Sequence, residues 1–312
     1  MRIDEKHYLT LLEESFPGIR KNIIRCEALG FSWEASQLFT KEEGEKVVSH
    51  VALLEIPMLI EGQWHKIGAF HGICTQAAHR GHGLATGLMQ DALQWAKGRC
   101  ETILLFTEIP TFYEKLSFHR IQEYRFHLSG PYPKGSQQLR PVVAPHDNDL
   151  FLRCFRERVP LSNRLWIKDN GLIASFNALF ADYPIYSPLE YSPTIDGFIC
   201  YMLKDKTLHF FDVVASEIPS LDVILDHLPE PVDDVYFYFF PDLLTNEALP
   251  EPHLYDNSYL MIYGPWVPVK SFYDFPTEPL LKNQIDFFIT PKRDKATESA
   301  IPAEDAAIPA EN

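Results

Sequence analysis

No stretch of this chain approaches the roughly 18 consecutive apolar residues expected of a membrane-spanning helix. Its start, MRIDEKHYLTLLEESF, is charged and has no apolar segment of the secretion-signal type, so the expected location is cytoplasmic. Basic residues are also scarce: 28 Lys and Arg stand against 43 Asp and Glu, a formal net charge of -15. A surface of that sign repels phosphate backbones, which argues against nucleic acid and is compatible with a cationic or amine partner. Cysteine is sparse, odd in number and scattered (Cys26, Cys74, Cys100, Cys154, Cys200), so reduced thiols are the simplest account. Cys74, His79 and His82 fall short of a four-ligand metal set, and no metal is expected. What the chain does have is 46% hydrophobic and 23% charged residues over 312 positions, the make-up of a globular protein of about two domains.

The spacing of apolar residues predicts two helices at the start, in HYLTLLEESF and IRKNIIRCEALG, the second stopping near Gly30. KVVSHVALLEIPMLI and HKIGAFHGICTQ read as strands separated by a hairpin-like break at EGQ. A helix to about Ala96 follows, with Leu84, Leu88, Ala92 and Trp95 on one face and Gly98 at its end. TILLFTE then reads as a buried strand, PTFYEKLS as a short helix and FHRIQEYRFHLS as a strand. Residues 131–149, rich in Pro, Gly and polar side chains, read as a linker. Beyond it GLIASFNALFADYPIYS, DGFICYMLKDKTLHFFDVVA and DDVYFYFFPDLL are expected to be strands, with SLDVILDHLP a helix between the last two. The AIPAE unit, written twice within 291–312, marks an expected disordered tail.

The junction AHRGHGLATGLMQDAL, residues 77–92, is the most informative stretch. Gly81 and Gly83 give G-x-G, but Thr86 occupies the third position of a dinucleotide fingerprint, and the junction follows antiparallel-type strands. No Gly-Lys-Ser/Thr follows, which removes a Walker-type loop. A glycine-rich turn from strand to helix nonetheless presents successive backbone N–H groups, an arrangement that binds phosphate or pyrophosphate. Arg80 adds a cation, and glycine lets a ligand approach the backbone.

Arg80-Gly81-His82-Gly83-Leu84-Ala85 resembles the Gln/Arg-x-x-Gly-x-Gly/Ala signature of the GCN5-related N-acetyltransferase (GNAT) family. FYEKLSF, residues 112–118, is similar to the family's Phe-Tyr-x-x-x-Gly-Phe segment, with Ser117 where the family usually has glycine. The resemblance covers about residues 1–130. It implies that the pantetheine of acetyl-CoA lies along the strand before the loop, pairing with backbone near Ile73, Cys74 and Thr75. It implies a pyrophosphate on the N–H groups of Arg80, Gly81, His82, Gly83, Leu84, Ala85 and Thr86, beside splayed neighbouring strands. Tyr113 would, by the same resemblance, protonate the departing CoA thiolate. For the base that strips the amine the residues offer two candidates, Glu108 at a strand end and His71 on the strand beside the cofactor path.

The second half resembles the degenerate lobe of Eis-like, tandem members of that family, because after FFDVVA the sequence runs SEIPSL without arginine or glycine. The expected fold is α/β (α+β): two GNAT-like lobes, each a mixed, mainly antiparallel sheet flanked by helices. Their expected bounds are 1–130 and 150–290. The expected activity is acetyl-CoA-dependent N-acetyl transfer to a primary amine, on a small molecule or a protein lysine, by direct attack in a ternary complex. The alternatives are a non-catalytic acyl-CoA-binding or interaction module, and a protein-lysine acetyltransferase that docks its target through the second lobe. Oligomeric state is open.

Overall fold

A computed structural model describes residues 7–181, 185–254 and 257–265. Two helices, α1 (Tyr8–Ser15) and α2 (Ile19–Ala28), bury Leu9, Leu12, Ile19 and Ile23. A meander follows of β1 (Gln37–Glu43), β2 (Lys46–Ile60) and β3 (Gln63–Thr75). The β2–β3 turn sits at the expected break; Glu61 and Gly62 both have positive φ, as the tight hairpin turn demands. Next come α3 (Leu84–Ala96), β4 (Ile103–Thr107), α4 (Pro110–Glu114), β5 (His119–Arg120), β6 (Glu123–Tyr132), β7 (Arg140–Val143) and α5 (Asn148–Glu157). The chain continues through β8 (Leu165–Ile167), α6 (Leu172–Ala181), β9 (Ile185–Ser192), β10 (Gly197–Lys204) and β11 (Thr207–Val214). It closes with α7 (Leu221–Leu225), β12 (Val232–Phe237), β13 (Leu249–His253) and β14 (Tyr259–Tyr263).

The strands form two mixed, mainly antiparallel sheets. One has the order β1-β2-β3-β4-β14-β5, with β8 also on β2; the other runs β13-β6-β12-β11-β10-β9-β7. A buried cluster joins them, with Ile56, Phe106 and Leu260 from the first sheet and Phe126, Phe210 and Phe237 from the second. The opposite face of the first sheet is covered by α3 and α4, through Leu88, Met89, Ala92 and Tyr113 against Phe70 and Leu105. A third cluster gathers α1, α2, α5 and α6 with Tyr186 and Phe198 of the second sheet.

The sheets divide the chain differently from the bounds expected at 130 and 150. β6 and β7 lie in the second sheet, and β8 and β14 lie in the first. The segment FHRIQEYRFHLS is accordingly not one strand but two, β5 and β6, placed on different sheets. The physical reason is a free edge. All five residues of β4 pair with β14, from Tyr259↔Thr107 to Tyr263↔Ile103, and no local feature of either sequence specifies that partner.

GLIASFNALFADYPIYS was expected to be strand, yet its first part is the helix α6. Continuous apolar runs carry no period that separates helix from strand. Here a cap decides: the Asp169 carboxylate accepts the N–H groups of Gly171, Ile173 and Ala174. The tail expected over 291–312 lies outside the described residues. Among the described residues no helix is long and apolar enough to cross a membrane.

Candidate functional site

β3 is paired on both sides only in its middle, at Gly68 and Ala69. Its antiparallel pairing to β2 extends to Ser49↔Thr75, whereas its parallel pairing to β4 stops after Gly68↔Ile103 and Ala69↔Leu104. Both strands run on, β3 to Thr75 and β4 to Thr107, so they diverge and leave a wedge lined by main chain. No described strand pairs with β3 along that edge. This is the splay that the resemblance implied.

A bulge decides which backbone groups face the wedge. Ala52 pairs with His71 and His50 with Cys74, so two steps on β2 face three on β3. The extra residue falls at Gly72, which has φ +61. Gly68 N–H donates towards β4, to Thr102 O (3.0 Å), but Gln76 N–H donates to Val48 O on β2 (2.9 Å). On a regular strand two residues eight positions apart point the same way. The bulge has reversed the alternation, which turns the main chain of Ile73 and Thr75 to the wedge. Cys74 is turned the other way, its carbonyl accepting from Ser49 Oγ (3.2 Å). Burial pushes the Cys74 thiol up to about 12, so it stays protonated and is no nucleophile.

Beyond Thr75 a short turn, Ala77–His79, leads into the loop. His79 Nε2 lies 2.7 Å from Glu43 Oε2 of β1, and Arg80 Nε donates to Thr75 O (3.1 Å). Gly81 and Gly83 have φ +79 and +72, values that favour glycine, and a Cβ added at either would meet nothing within 4 Å. The loop's outer face is therefore open. Gly83 precedes α3 without a side-chain cap, and the first intrahelical bond runs from Gly87 N to Gly83 O (3.0 Å). The N–H groups of Leu84, Ala85 and Thr86 thus have no helical acceptor. Arg80, Gly81, His82 and Gly83 are exposed; Leu84, Ala85 and Thr86 are half-buried.

The candidate acid and bases separate sharply. Tyr113, on α4, is 3% exposed, with its ring edge-on to Phe112 and Phe118. Burial raises its phenol pKa, while a hydrogen bond to Thr107 works against that shift, so the hydroxyl is a proton donor at neutral pH. Thr107, at the end of β4, also accepts from Ile109 N–H (3.1 Å). Sequence reasoning did not single out Thr107, Gly72 or His50. An isolated glycine inside a strand is the available signal for the bulge. Glu108 follows Thr107 and is exposed. His71 is 2% exposed, stacked edge-on with Trp33 and 2.6 Å from Ser36 Oγ through Nε2. Desolvation holds it neutral, well below the usual histidine range. Ser117 has φ +66, which explains why a glycine suits this position. Among the described residues no group of three or more His, Cys, Asp or Glu is placed to hold a metal ion.

The solved structures that resemble this chain do so at low identity, which shows the fold alone. A conserved protein of unknown function from Enterococcus faecalis V583, titled a probable N-acyltransferase, aligns with a TM-score of 0.53 and 12% identity, over 83% of this chain and 69% of that one. Eis1 from Mycobacterium abscessus aligns with a TM-score of 0.51 and 14% identity, over 83% and 71%. No curated protein matches the sequence. Residues 4–121, which hold the bulged strand, the glycine loop and Tyr113, match the model described as an acetyltransferase (GNAT) domain. That match identifies residues 4–121 as similar to a GNAT acetyltransferase domain.

Proposed function

We propose that the chain is an acetyl-CoA-dependent N-acetyltransferase whose donor lies in the wedge between β3 and β4. One observation carries this reading: the free edge of β3 runs directly into a glycine-rich helix start with unpaired N–H groups. The residues present fit the donor. Ile73 and Thr75 offer main-chain groups for a pantetheine arm, and residues 80–86 offer N–H groups for a pyrophosphate. The absence of side chains at Gly81 and Gly83 leaves room for it, and Arg80, anchored through Nε, sets a cation beside it.

Acetyl-CoA supplies a thioester, so direct attack by an amine forms the C–N bond as the C–S bond breaks. Tyr113 donates its proton to the sulfur that leaves, and its raised pKa keeps the phenol protonated and neutral until then. Glu108 is the better-placed base, since it is exposed at the end of β4 and takes the amine proton directly or through water. His71 instead holds the sheet to Trp33 and Ser36. The acceptor is a primary amine, of a small molecule or a protein lysine.

The test is release of free thiol from acetyl-CoA with a panel of amines that includes lysine peptides, alongside thermal denaturation with acetyl-CoA. The expected result is a raised melting temperature and amine-dependent thiol release. Stabilisation without turnover on any amine would leave the non-catalytic acyl-CoA-binding reading. Absence of both would end the proposal.

A further inference from the structure

The bulge at Gly72 is held from behind by a residue that lies off the wedge. His50, on β2, is fully buried, and its Nδ1 lies 2.7 Å from the Gly72 carbonyl oxygen. A carbonyl only accepts, so Nδ1 carries the proton. Burial keeps the ring neutral by lowering its pKa to about 4, which leaves Nε2 without a proton. The ring packs between Tyr8 and Trp33, at centroid distances of 5.7 and 6.3 Å, and His71 is the other titratable group that bears on it. Its fit to the bulge is close. A Cβ at Gly72 would lie 3.2 Å from His50 Cε1 and 3.2 Å from Trp33 Cζ2.

The extra residue of a bulge leaves the ladder, so its polar groups need another partner. Gly72 O finds that partner in His50. Without the bond, the carbonyl would be buried and unsatisfied, and regular pairing of β2 with β3 would compete with the bulge. Regular pairing would restore the alternation and turn Cys74, in place of Ile73 and Thr75, to the wedge.

We propose that His50 is a positioning residue for donor binding: its Nδ1–H bond to Gly72 O fixes the bulge that turns the main chain of Ile73 and Thr75 towards the wedge. The use of those groups by acetyl-CoA rests on the functional reading above; the fixing of the bulge does not.

The test uses the full chain with His50→Leu, which removes the donor, and His50→Asn, whose side-chain nitrogen stands the same number of bonds from Cβ as Nδ1. Amide hydrogen exchange without ligand reads the bulge. In the wild type Ile73 and Thr75 should exchange much faster than Cys74; His50→Leu should erase that contrast and His50→Asn should restore it. Calorimetry with acetyl-CoA reads the consequence. His50→Leu should bind about tenfold more weakly, the loss of about one good hydrogen bond, with His50→Asn close to wild type. An unchanged exchange pattern and affinity in a folded His50→Leu protein would overturn the proposal. If His50→Leu does not fold, His50→Asn decides alone, because a bulge lost despite the retained amide donor would also overturn it. A wild type that shows the exchange contrast but binds no acetyl-CoA would retire the functional reading and leave the bulge assignment standing.

Discussion

Each sheet contains a strand, a connection with a helix, and a parallel strand beside the first, yet the two places differ in the extent of pairing and in the start of the helix. In the first sheet β3 and β4 share two pairs and part. In the second, β11 and β12 pair from Thr207↔Asp234 through Phe210↔Phe237, and Tyr238 N–H adds a bond to Phe210 O (3.0 Å). The connections differ as much. Gly81 and Gly83 leave the start of the 13-residue α3 open, whereas α7 has five residues and its first turn is closed by Ser220, whose hydroxyl accepts from Val223 N–H. A phosphate cradle needs unclaimed donors; Ser220 claims one, and the segment Ala215–Ser220 contains no glycine. The difference teaches that the same order of elements leaves a helix start open, as the proposed donor site requires, in one sheet and closes it in the other.

The largest effect tests whether the two regions are separable at all. A chain of residues 1–130 lacks β14 between β4 and β5 and lacks the second sheet's share of the common core. It should show no cooperative thermal transition by circular dichroism, and a sharp transition would mean that the interleaving is dispensable. Next comes the loop. Gly83→Val places a β-branched residue at φ +72, at a strain cost of about 1–3 kcal/mol. It should abolish acetyl-CoA stabilisation, worth about 2.7 kcal/mol at a hundredfold excess over Kd in a competent site. Residual micromolar binding by calorimetry would sink the assignment of the pyrophosphate to this loop and break the comparison.

Removing only a hydroxyl should act on turnover and spare the fold. Tyr113→Phe keeps its contacts with Phe112 and Phe118, leaves donor affinity nearly unchanged and lowers kcat, within the about 10²- to 10⁴-fold span of general-acid assistance. The low end is expected because a thiol is already a fair leaving group. Full kcat in the variant would assign the tyrosine to packing. The smallest effect belongs to Ser117→Gly. Relief of a left-handed φ of +66, about 1–2 kcal/mol, is offset by the about 0.5–1 kcal/mol entropy cost of glycine. The melting temperature should rise slightly, and a clear fall would show that the Ser117 side chain makes a stabilising contact.

Much of the molecule was legible in order and type. The two opening helices, the β2–β3 hairpin at Glu61-Gly62, α3, β4 and α7 stand where periodicity and turn residues put them. The loop could be read because its demands are local: glycine at positive φ and a helix start are properties of a few consecutive residues. Ser117 could be marked as a departure for the same reason. Misreadings fell where neighbours in space outvote neighbours in sequence. The α6 helix hangs on the Asp169 cap of a run with no period of its own, and β6 and β7 joined a sheet that the sequence had not assigned to them.

By itself, then, the sequence determined most of the elements and the glycine loop, through backbone preferences and side-chain periods that act over one or two turns. The tertiary structure alone decided which strands meet. An apolar run suits many sheet positions, so nothing in YLMIY reserves it for β4, and nothing in HKIGAFHGICTQ shows where β3 will part from its neighbour. The burial of Tyr113 beside Thr107 and the bond from His50 to Gly72 arise the same way. Each joins residues brought together by packing, and a main-chain alternation reversed by one extra residue becomes visible only once its partner strand is in place.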